Sequence, residues 1–394
     1  MKSVSRKWLW PINAVIFNIC RFIPFRNKRI WLFGAHAGNK YDDNAKFFFE
    51  YVNTKVTYNI RPIWLSNNKE TIDQIKKIGY EVYPFSSLKG IWFSLHAGVA
   101  LYTHSIYDLG MIPLISGAKI VALWHGVGFK KIYNAKYQGH KLFLKKFIDR
   151  IFSRTYRNIT IATSHFTLEQ WQNYFNINPE DIYITGQPRN DVFKNKKTRQ
   201  EILRKLNINT EKKIILFMPT YRSVKQGKDA IEKIVLNLYN NHEIQETLND
   251  GNYLLLVKLH PLTPNIKLPR KPNFTVLNYE TIECNQELLC VADILITDYS
   301  SCFVDYSLLH RPIIFYNPDH NEYLKHSGAN DIIFEKISKH CRATNLKELI
   351  SLIKKPSDSI SSMTNKIFED PSIKDSCYSE NVYKTIVRSL NIKS

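Results

Sequence analysis

With 394 residues, the chain is longer than a single hydrophobic core ordinarily serves, so two domains of common size are expected. Hydrophobic residues at 44% and charged residues at 23% exclude global disorder, and 14 Gly with 16 Pro exclude a collagen-like or linker-rich chain. The formal net charge of +20 calls for an acidic partner (nucleic acid, an anionic membrane or a phosphorylated substrate) or follows from a composition rich in Lys, Asn and Ile.

Residues 1–28 stand apart. Lys2, Arg6 and Lys7 precede an apolar stretch over 8–25, and Arg26, Lys28 and Arg29 follow it. Pro11, Asn13, Asn18, Arg21 and Pro24 interrupt the stretch, which rules out a secretory signal or a plain membrane span. At about 100° per residue, Ile12, Val15, Ile16, Ile19, Phe22 and Ile23 share one face, with Asn13, Asn18 and Arg21 opposite. This reads as an amphipathic helix lying in a bilayer interface, or as a helix docked on the protein's own core.

From residue 29 onward, β-rich runs alternate with helical patterns. Strands are expected at 30–33, 61–65, 99–102, 120–124, 159–163 and 182–185, with helices near 44–52, 69–78, 142–152 and 167–174. A polar, basic break at 195–199 leads into a short helix at 199–206. The alternation restarts with strands at 214–218, 254–259, 274–277, 294–297 and 313–316, separated by helices near 231–248, 285–291, 302–309 and 346–353. Two such blocks predict an α/β protein of two Rossmann-like units, 29–205 and 206–394, each on a parallel sheet.

In such folds ligands gather where strands end, so the polar strand ends carry the chemistry. The strand at 120–124 runs into His125 and Gly126, followed by Lys130 and Lys131. A His there can exchange a proton near neutral pH, and glycine admits close approach of a ligand. The strand at 182–185 leads to Arg189, Asn190 and Asp191. The strand at 214–218 leads to Thr220 and Arg222, and the strand at 254–259 to His260. Asp298, Ser300 and Ser301 follow the strand at 294–297 directly before a helix that carries Asp305. Arg forks, serine hydroxyls and a helix N-terminus all suit phosphate. Each has a structural alternative: a capped turn at 189–191, a serine N-cap at 300–301.

The six cysteines (20, 284, 290, 302, 341, 377) form no C-x-x-C pair and read as reduced, buried thiols. No phosphate loop, dinucleotide fingerprint, H-E-x-x-H or D-x-D is present, and Asp42-Asp43-Asn44 reads as a helix cap; no built-in metal site is expected. Between residues 130 and 157 nine Lys/Arg face one acidic residue, with Leu142, Phe143, Lys146, Phe147 and Ile151 at helical spacing. This suits an anionic membrane or a polyprenyl-diphosphate head group, or is a solvated helix face.

Taken in order, WHGVGFKKI (124–132), TGQPRND (185–191), MPTYR (218–222), KLHP (258–261) and TDYSSCFVDYSLLHRPIIFY (297–316) resemble the CDP-glycerol glycerophosphotransferase family of teichoic acid synthesis. FGAHAGNKYDDNAKFFFEY (33–51) is similar to the N-terminal block of its shorter, primase-like members. The likeness spans roughly residues 30–355. It departs from the family pattern at Val127-Gly128-Phe129, where Thr-Pro-Leu is usual, and at Cys341-Arg342-Ala343-Thr344, where a Pro-Gly-Pro-like stretch is usual.

The resemblance implies a GT-B-like architecture, two Rossmann-like domains facing across a cleft, and peripheral attachment at the cytoplasmic face of the membrane. It implies CDP-glycerol as donor, a polyprenyl-diphosphate-linked acceptor, no tightly bound cofactor and primase-like rather than polymerase-like transfer, with CMP released. His125 is then the expected base, with His260, Arg222, Ser300 and Ser301 on the phosphates. Gly126, Lys130, Arg189, Asn190, Asp191, Thr220, Asp298 and Asp305 are the further expected substrate contacts. The roles of the two histidines can be exchanged, and the need for a divalent cation is left open. The alternatives are a CDP-ribitol- or nucleotide-sugar-dependent transferase of the same architecture; a non-enzymatic nucleic-acid binder lacks any recognised module.

Overall fold

A computed structural model describes residues 10–56, 59–110, 114–127, 139–140, 143, 157–194, 199–222, 229–277, 284–327 and 332–392. Thirteen strands are found among them: β1 Asn27–Gly34, β2 Arg61–Leu65, β3 Val82–Tyr83, β4 Ala97–Tyr102, β5 Lys119–Ala122, β6 Ile159–Ala162, β7 Ile182–Ile184, β8 Lys213–Met218, β9 Tyr253–Lys258, β10 Phe274–Leu277, β11 Ile294–Thr297, β12 Ile313–Tyr316 and β13 Arg342–Ala343. They form two all-parallel sheets, ordered β3-β2-β1-β4-β5-β6-β7 and β10-β9-β8-β11-β12-β13.

The apolar runs become strands because both faces are covered, as parallel sheets require. In the first sheet Trp31, Phe33, Val99, Leu101, Val121 and Leu123 pack with Phe48, Phe49 and Val52 of the helix Asp43–Lys55 and with Val382, Ile386 and Val387 of the helix Tyr378–Ser389. The alternate residues Ile30, Leu32, Ala100, Tyr102, Ile120 and Ala122 pack with Phe93, Ile106 and Leu109. In the second sheet Phe217, Val257, Ile296 and Tyr316 pack with Val235, Leu238 and Leu248.

The chain divides into two compact units, one of 1–125, 132–191 and 370–394, the other of 126–131 and 192–369. This differs from the expected division at 205/206 in two ways. Residues 192–205 join the second unit, where Arg199 pairs with Asp293 at 3.0 Å and Lys205 with Glu287 at 2.6 Å. The last residues return to the first unit because Asp191 accepts the N–H groups of Tyr378 and Ser379 (2.7 and 2.8 Å), capping their helix. At Gly186 (φ 76°) a side chain would run into the Tyr378 ring, so glycine is required there.

The N-terminal helix Trp10–Cys20 lies on the first unit through Asn13, Phe17 and Cys20, while Val15 (59% exposed), Ile19 and Phe22 (81%) face outward. The docked stripe therefore includes Asn13, which the periodicity placed on the polar side. Arg26 ties the following turn down, donating to the carbonyls of Cys20, Ser94, Ala97 and Leu114. The basic stretch 130–157, including Lys130, lies almost entirely outside the described residues. No helix among the described residues is long and apolar enough to cross a membrane.

Candidate functional site

In each sheet the strand order reverses direction at one place, between β1 and β4 in the first and between β8 and β11 in the second. Such switch points open a crevice at the carboxyl ends of the strands, and both carry polar residues here.

In the first unit Gly34, Tyr102 and Ala122 are paired across β1, β4 and β5. His36 and His104 follow two residues beyond their strand ends and His125 three beyond its own. Neighbouring strands lie about 4.8 Å apart, so the three rings are brought into a column. Ring centroids are 4.3 Å apart for His36 and His104 and 4.2 Å for His104 and His125, the latter nearly parallel at 5°. Trp124 stacks on the far side of His125 at 4.4 Å.

The column is anchored from below. Asn44, fully buried, donates to the carbonyls of Leu123 and Trp124 (3.1 and 2.9 Å) and accepts the N–H of Arg189 (3.1 Å). One carboxamide thus pins the helix start, the end of β5 and the turn after β7. Arg189 donates to Asp43 Oδ1 and to the His125 carbonyl, both at 3.0 Å. His36, Ala37, Asp43 and Trp124 all have φ between 50° and 61°, where each non-glycine residue costs about 1–2 kcal/mol. Trp124 in this conformation also ends β5 at Ala122, two residues before the expected limit.

Burial lowers the pKa of His125, and the Asp43 carboxylate offsets only part of the effect. Burial together with the flanking histidines pushes His104 down to about 3. Burial opposes the charge of Asp43, but Arg189, His125 and His104 outweigh it and hold its carboxyl below the ordinary value. A neutral imidazole beside a fixed carboxylate is suited to accepting a proton. His125 Nδ1 lies 3.4 Å from the Thr103 carbonyl, which directs Nε2 outward from that contact.

In the second unit the ends of β8 and β11 meet in a buried network. Asp298 Oδ1 accepts from the Thr220 N–H and hydroxyl (2.8 and 2.6 Å) and from the Tyr299 N–H (2.6 Å). Arg222 uses Nε and Nη2 on Asp319 (2.7 and 3.0 Å), Nη2 on Asp298 (2.9 Å) and Nη1 on the Thr220 carbonyl (2.7 Å). Its guanidinium lies 4.5 Å over Tyr323, which stacks on Tyr299 at 3.8 Å. Burial works against the charge of Arg222, yet the bonds to Asp319 and the charge of Asp298 raise its pKa.

Six of the expected substrate contacts are buried or engaged by the protein's own groups. Arg222, 1% exposed, has every nitrogen bonded inside the protein, and Asp298 holds the turn after β8. Asp305 is buried and accepts from Gln286, while Asp191 caps the C-terminal helix. Arg189 is likewise committed to Asp43 and the His125 carbonyl. Asn190 is buried within the same turn. Exposed or partly exposed at the strand ends are His260, Thr220, Ser300 and Ser301, whereas Gly126 (φ 150°) is buried. His260 accepts the Leu262 N–H at its Nδ1 (3.2 Å) and lies 5.8 Å from the Tyr221 ring.

Sequence reasoning missed His36, His104, Asp43 and Asn44 as site residues, and Asp319 with Tyr323 in the second unit. The first four sit in linear contexts that read as caps and turns; only the pairing of β1, β4 and β5 assembles them.

A family model described as CDP-Glycerol:Poly(glycerophosphate) glycerophosphotransferase matches residues 15–388. The chain is 29% identical over 363 residues to a teichoic acid poly(glycerol phosphate) polymerase of Bacillus spizizenii, covering 89% of each. It is 31% identical over 324 residues to a polymerase of the same description from Staphylococcus epidermidis, covering 75% of this chain and 41% of that relative. The solved structure of the wall teichoic acid polymerase TagF superposes with a TM-score of 0.73 at 22% identity, over 97% of this chain and 94% of that one; this likeness is one of fold.

Proposed function

The chain belongs to the CDP-glycerol:poly(glycerophosphate) glycerophosphotransferase family, and from that premise we propose that it transfers glycerol phosphate from CDP-glycerol to a hydroxyl of a lipid-linked saccharide or teichoic acid precursor. An acceptor oxygen forms a bond to the glycerol-bearing phosphorus. The bond from that phosphorus to the CMP oxygen breaks, and its electron pair leaves with CMP. The hydroxyl proton goes to His125 Nε2.

The observation that carries this reading is the part-buried His125, its pKa lowered at the carboxyl end of β5 and its ring stacked with both Trp124 and His104. A poor nucleophile needs such a base, and a ring already oriented loses little on reaction. In the second unit His260, Ser300 and Ser301 are assigned to the donor's phosphates, with Thr220 and Gly126 beside their strand ends as further contacts. Lys130 is assigned to the acceptor on its charge alone.

The test is donor choice and product mass. Purified protein is offered CDP-glycerol, CDP-ribitol and nucleotide sugars with a synthetic lipid-linked disaccharide. CMP release with CDP-glycerol and a product heavier by glycerol phosphate support the reading; one added unit marks primase-type transfer and a ladder polymerase-type. CMP release with CDP-ribitol alone, or nucleotide release from a sugar donor alone, overturns the donor assignment.

Peripheral attachment to the cytoplasmic face of the membrane is proposed on the outward Val15, Ile19, Phe22 and Phe25 together with the basic stretch 130–157. Val15→Ser with Ile19→Ser should make binding to anionic vesicles more salt-sensitive without disturbing Phe17. A wild-type protein that fails to sediment with such vesicles at low salt defeats the membrane assignment.

A further inference from the structure

We propose that His36, Asp43 and His104 form a binding site for one divalent first-row transition-metal ion. One potential ligand atom from each residue lies within 4.8 Å of the other two. Nitrogen and carboxylate ligands about 2.0–2.2 Å from a shared ion stand roughly 3–4 Å apart, so small side-chain shifts close the set.

The hydrogen bonds leave the right atoms available. Arg189 and the Asn44 N–H both donate to Asp43 Oδ1, which leaves Oδ2 for an ion. The Thr103 hydroxyl engages His104 Nδ1 at 2.7 Å, which leaves Nε2. His36 Nε2 is buried with no hydrogen-bond partner, at 3.8 Å from Asp42 Oδ2. Strand pairing brings these three residues together although no hydrogen bond links them, an arrangement that an ion shared among them would hold.

An outer shell is present as well. Asp108, fully buried, accepts the N–H groups of Ala37 (2.8 Å), Thr103 (3.0 Å) and His104 (2.8 Å), so one carboxylate fixes the loops carrying both histidines. Ligating histidines commonly carry such support. His36 and Asp43 are held at positive φ, where backbone strain marks a position kept for its side chain. His36 and His104 leave the two strands that flank the switch point of the first sheet.

Two imidazoles and one carboxylate select the class of ion. Mg²⁺ and Ca²⁺ favour all-oxygen sites, whereas Zn²⁺, Co²⁺ and Mn²⁺ accept this mixed set. An anion is disfavoured by Asp43 and the adjacent Asp42. Three protein ligands leave coordination positions open, so the ion can also take a water or an oxygen of a bound molecule. The spacing 36, 43 and 104 matches no linear metal motif, which is why the site is visible only after the strands pair.

The experiment uses the full chain after chelator treatment and needs no substrate, so it is decided independently of the transfer reading. Co²⁺ is titrated while visible d–d absorption is recorded, and Zn²⁺ is then added as competitor. The expected result is saturation at one equivalent and displacement by Zn²⁺. His36→Ala, at a partly exposed position, should weaken Co²⁺ binding at least about tenfold, no less than loss of an outer-shell partner costs. Asp43→Asn should do the same. His242→Ala, at an exposed position beside Glu246, serves as the control and should bind as the wild type does. The proposal is overturned if the wild type gives no saturable absorption, or if the absorption survives unchanged in His36→Ala and Asp43→Asn. Should Asp43→Asn fail to fold, the wild-type and His36→Ala titrations still decide.

Discussion

At the switch point of the first sheet, three histidines and a carboxylate stand together with nitrogen and oxygen atoms left unbonded. At the switch point of the second, Arg222, Asp298 and Asp319 bond one another until every guanidinium nitrogen is used. The two places are topologically equivalent, yet one spends its polar atoms on the fold and the other holds them back. A strand-end cation is thus not evidence of ligand contact until its own hydrogen bonds have been counted. The proposed chemistry accordingly uses the histidine rings in the first unit and, in the second, the part-exposed groups around the network rather than the network.

This contrast breaks if Arg222 proves dispensable for folding. Arg222→Met leaves the buried Asp298 and the part-buried Asp319 without their partner, and loss of one member of a buried pair costs about 3–5 kcal/mol. Urea unfolding should show that loss, and an unchanged midpoint would return Arg222 to the list of free phosphate contacts. His125→Ala should do the reverse: turnover falls at least about a hundredfold, the lower range for acid–base catalysis, while the unfolding midpoint moves little. His260→Ala should likewise spare stability, since the residue is exposed; normal turnover in that variant removes it from the mechanism.

Asn44→Ala sharpens the comparison, because it tests a fully buried, fully bonded polar group in the first site. It strands two carbonyls and the Arg189 N–H in the interior, costing about 1–3 kcal/mol, and should lower turnover as well through displacement of His125. Stability lost without any effect on turnover would separate Asn44 from the site. The smallest effect is expected of Asp191→Ala, which removes a helix cap worth about 0.5–2 kcal/mol. Thermal unfolding should fall by that amount with donor affinity unchanged; weakened donor binding would restore Asp191 as a contact.

Most strands were legible because their apolar runs are continuous. Arg61–Leu65, Phe274–Leu277, Ile294–Thr297 and Ile313–Tyr316 coincide with the expected limits. The two-residue edge strands Val82–Tyr83 and Arg342–Ala343 were not legible, since two residues carry no periodicity. The helix expected over 231–248 is two helices, Ala230–Asn240 and His242–Asp250, because Asn241 turns extended and accepts the Ile244 N–H as a cap. His125 and His260 were legible from their places after strong strands. His36, His104 and Asn44 were not, because what matters about them is which strands and turns they meet, and the linear order does not contain that. Arg222 shows the converse: residue type and position suggested phosphate, while its bonds to Asp319, Asp298 and the Thr220 carbonyl could be read only from the fold.

The return of the helix Tyr378–Ser389 to the first unit bears on the order in which the protein can mature. Val382, Ile386, Val387 and Leu390 fill the same core as Trp31 and Phe48, and Asp191 waits to cap that helix. At roughly 5–20 residues per second, synthesis of the intervening chain takes on the order of tens of seconds. During that interval the nascent first unit must keep its strands paired with a hydrophobic groove open along the helix Asp43–Lys55. The second unit, made of 126–131 and 192–369, waits for no segment beyond 369. Synthesis of the helix Tyr378–Ser389, rather than of residue 191, is therefore the event that closes the half of the molecule bearing the histidine column.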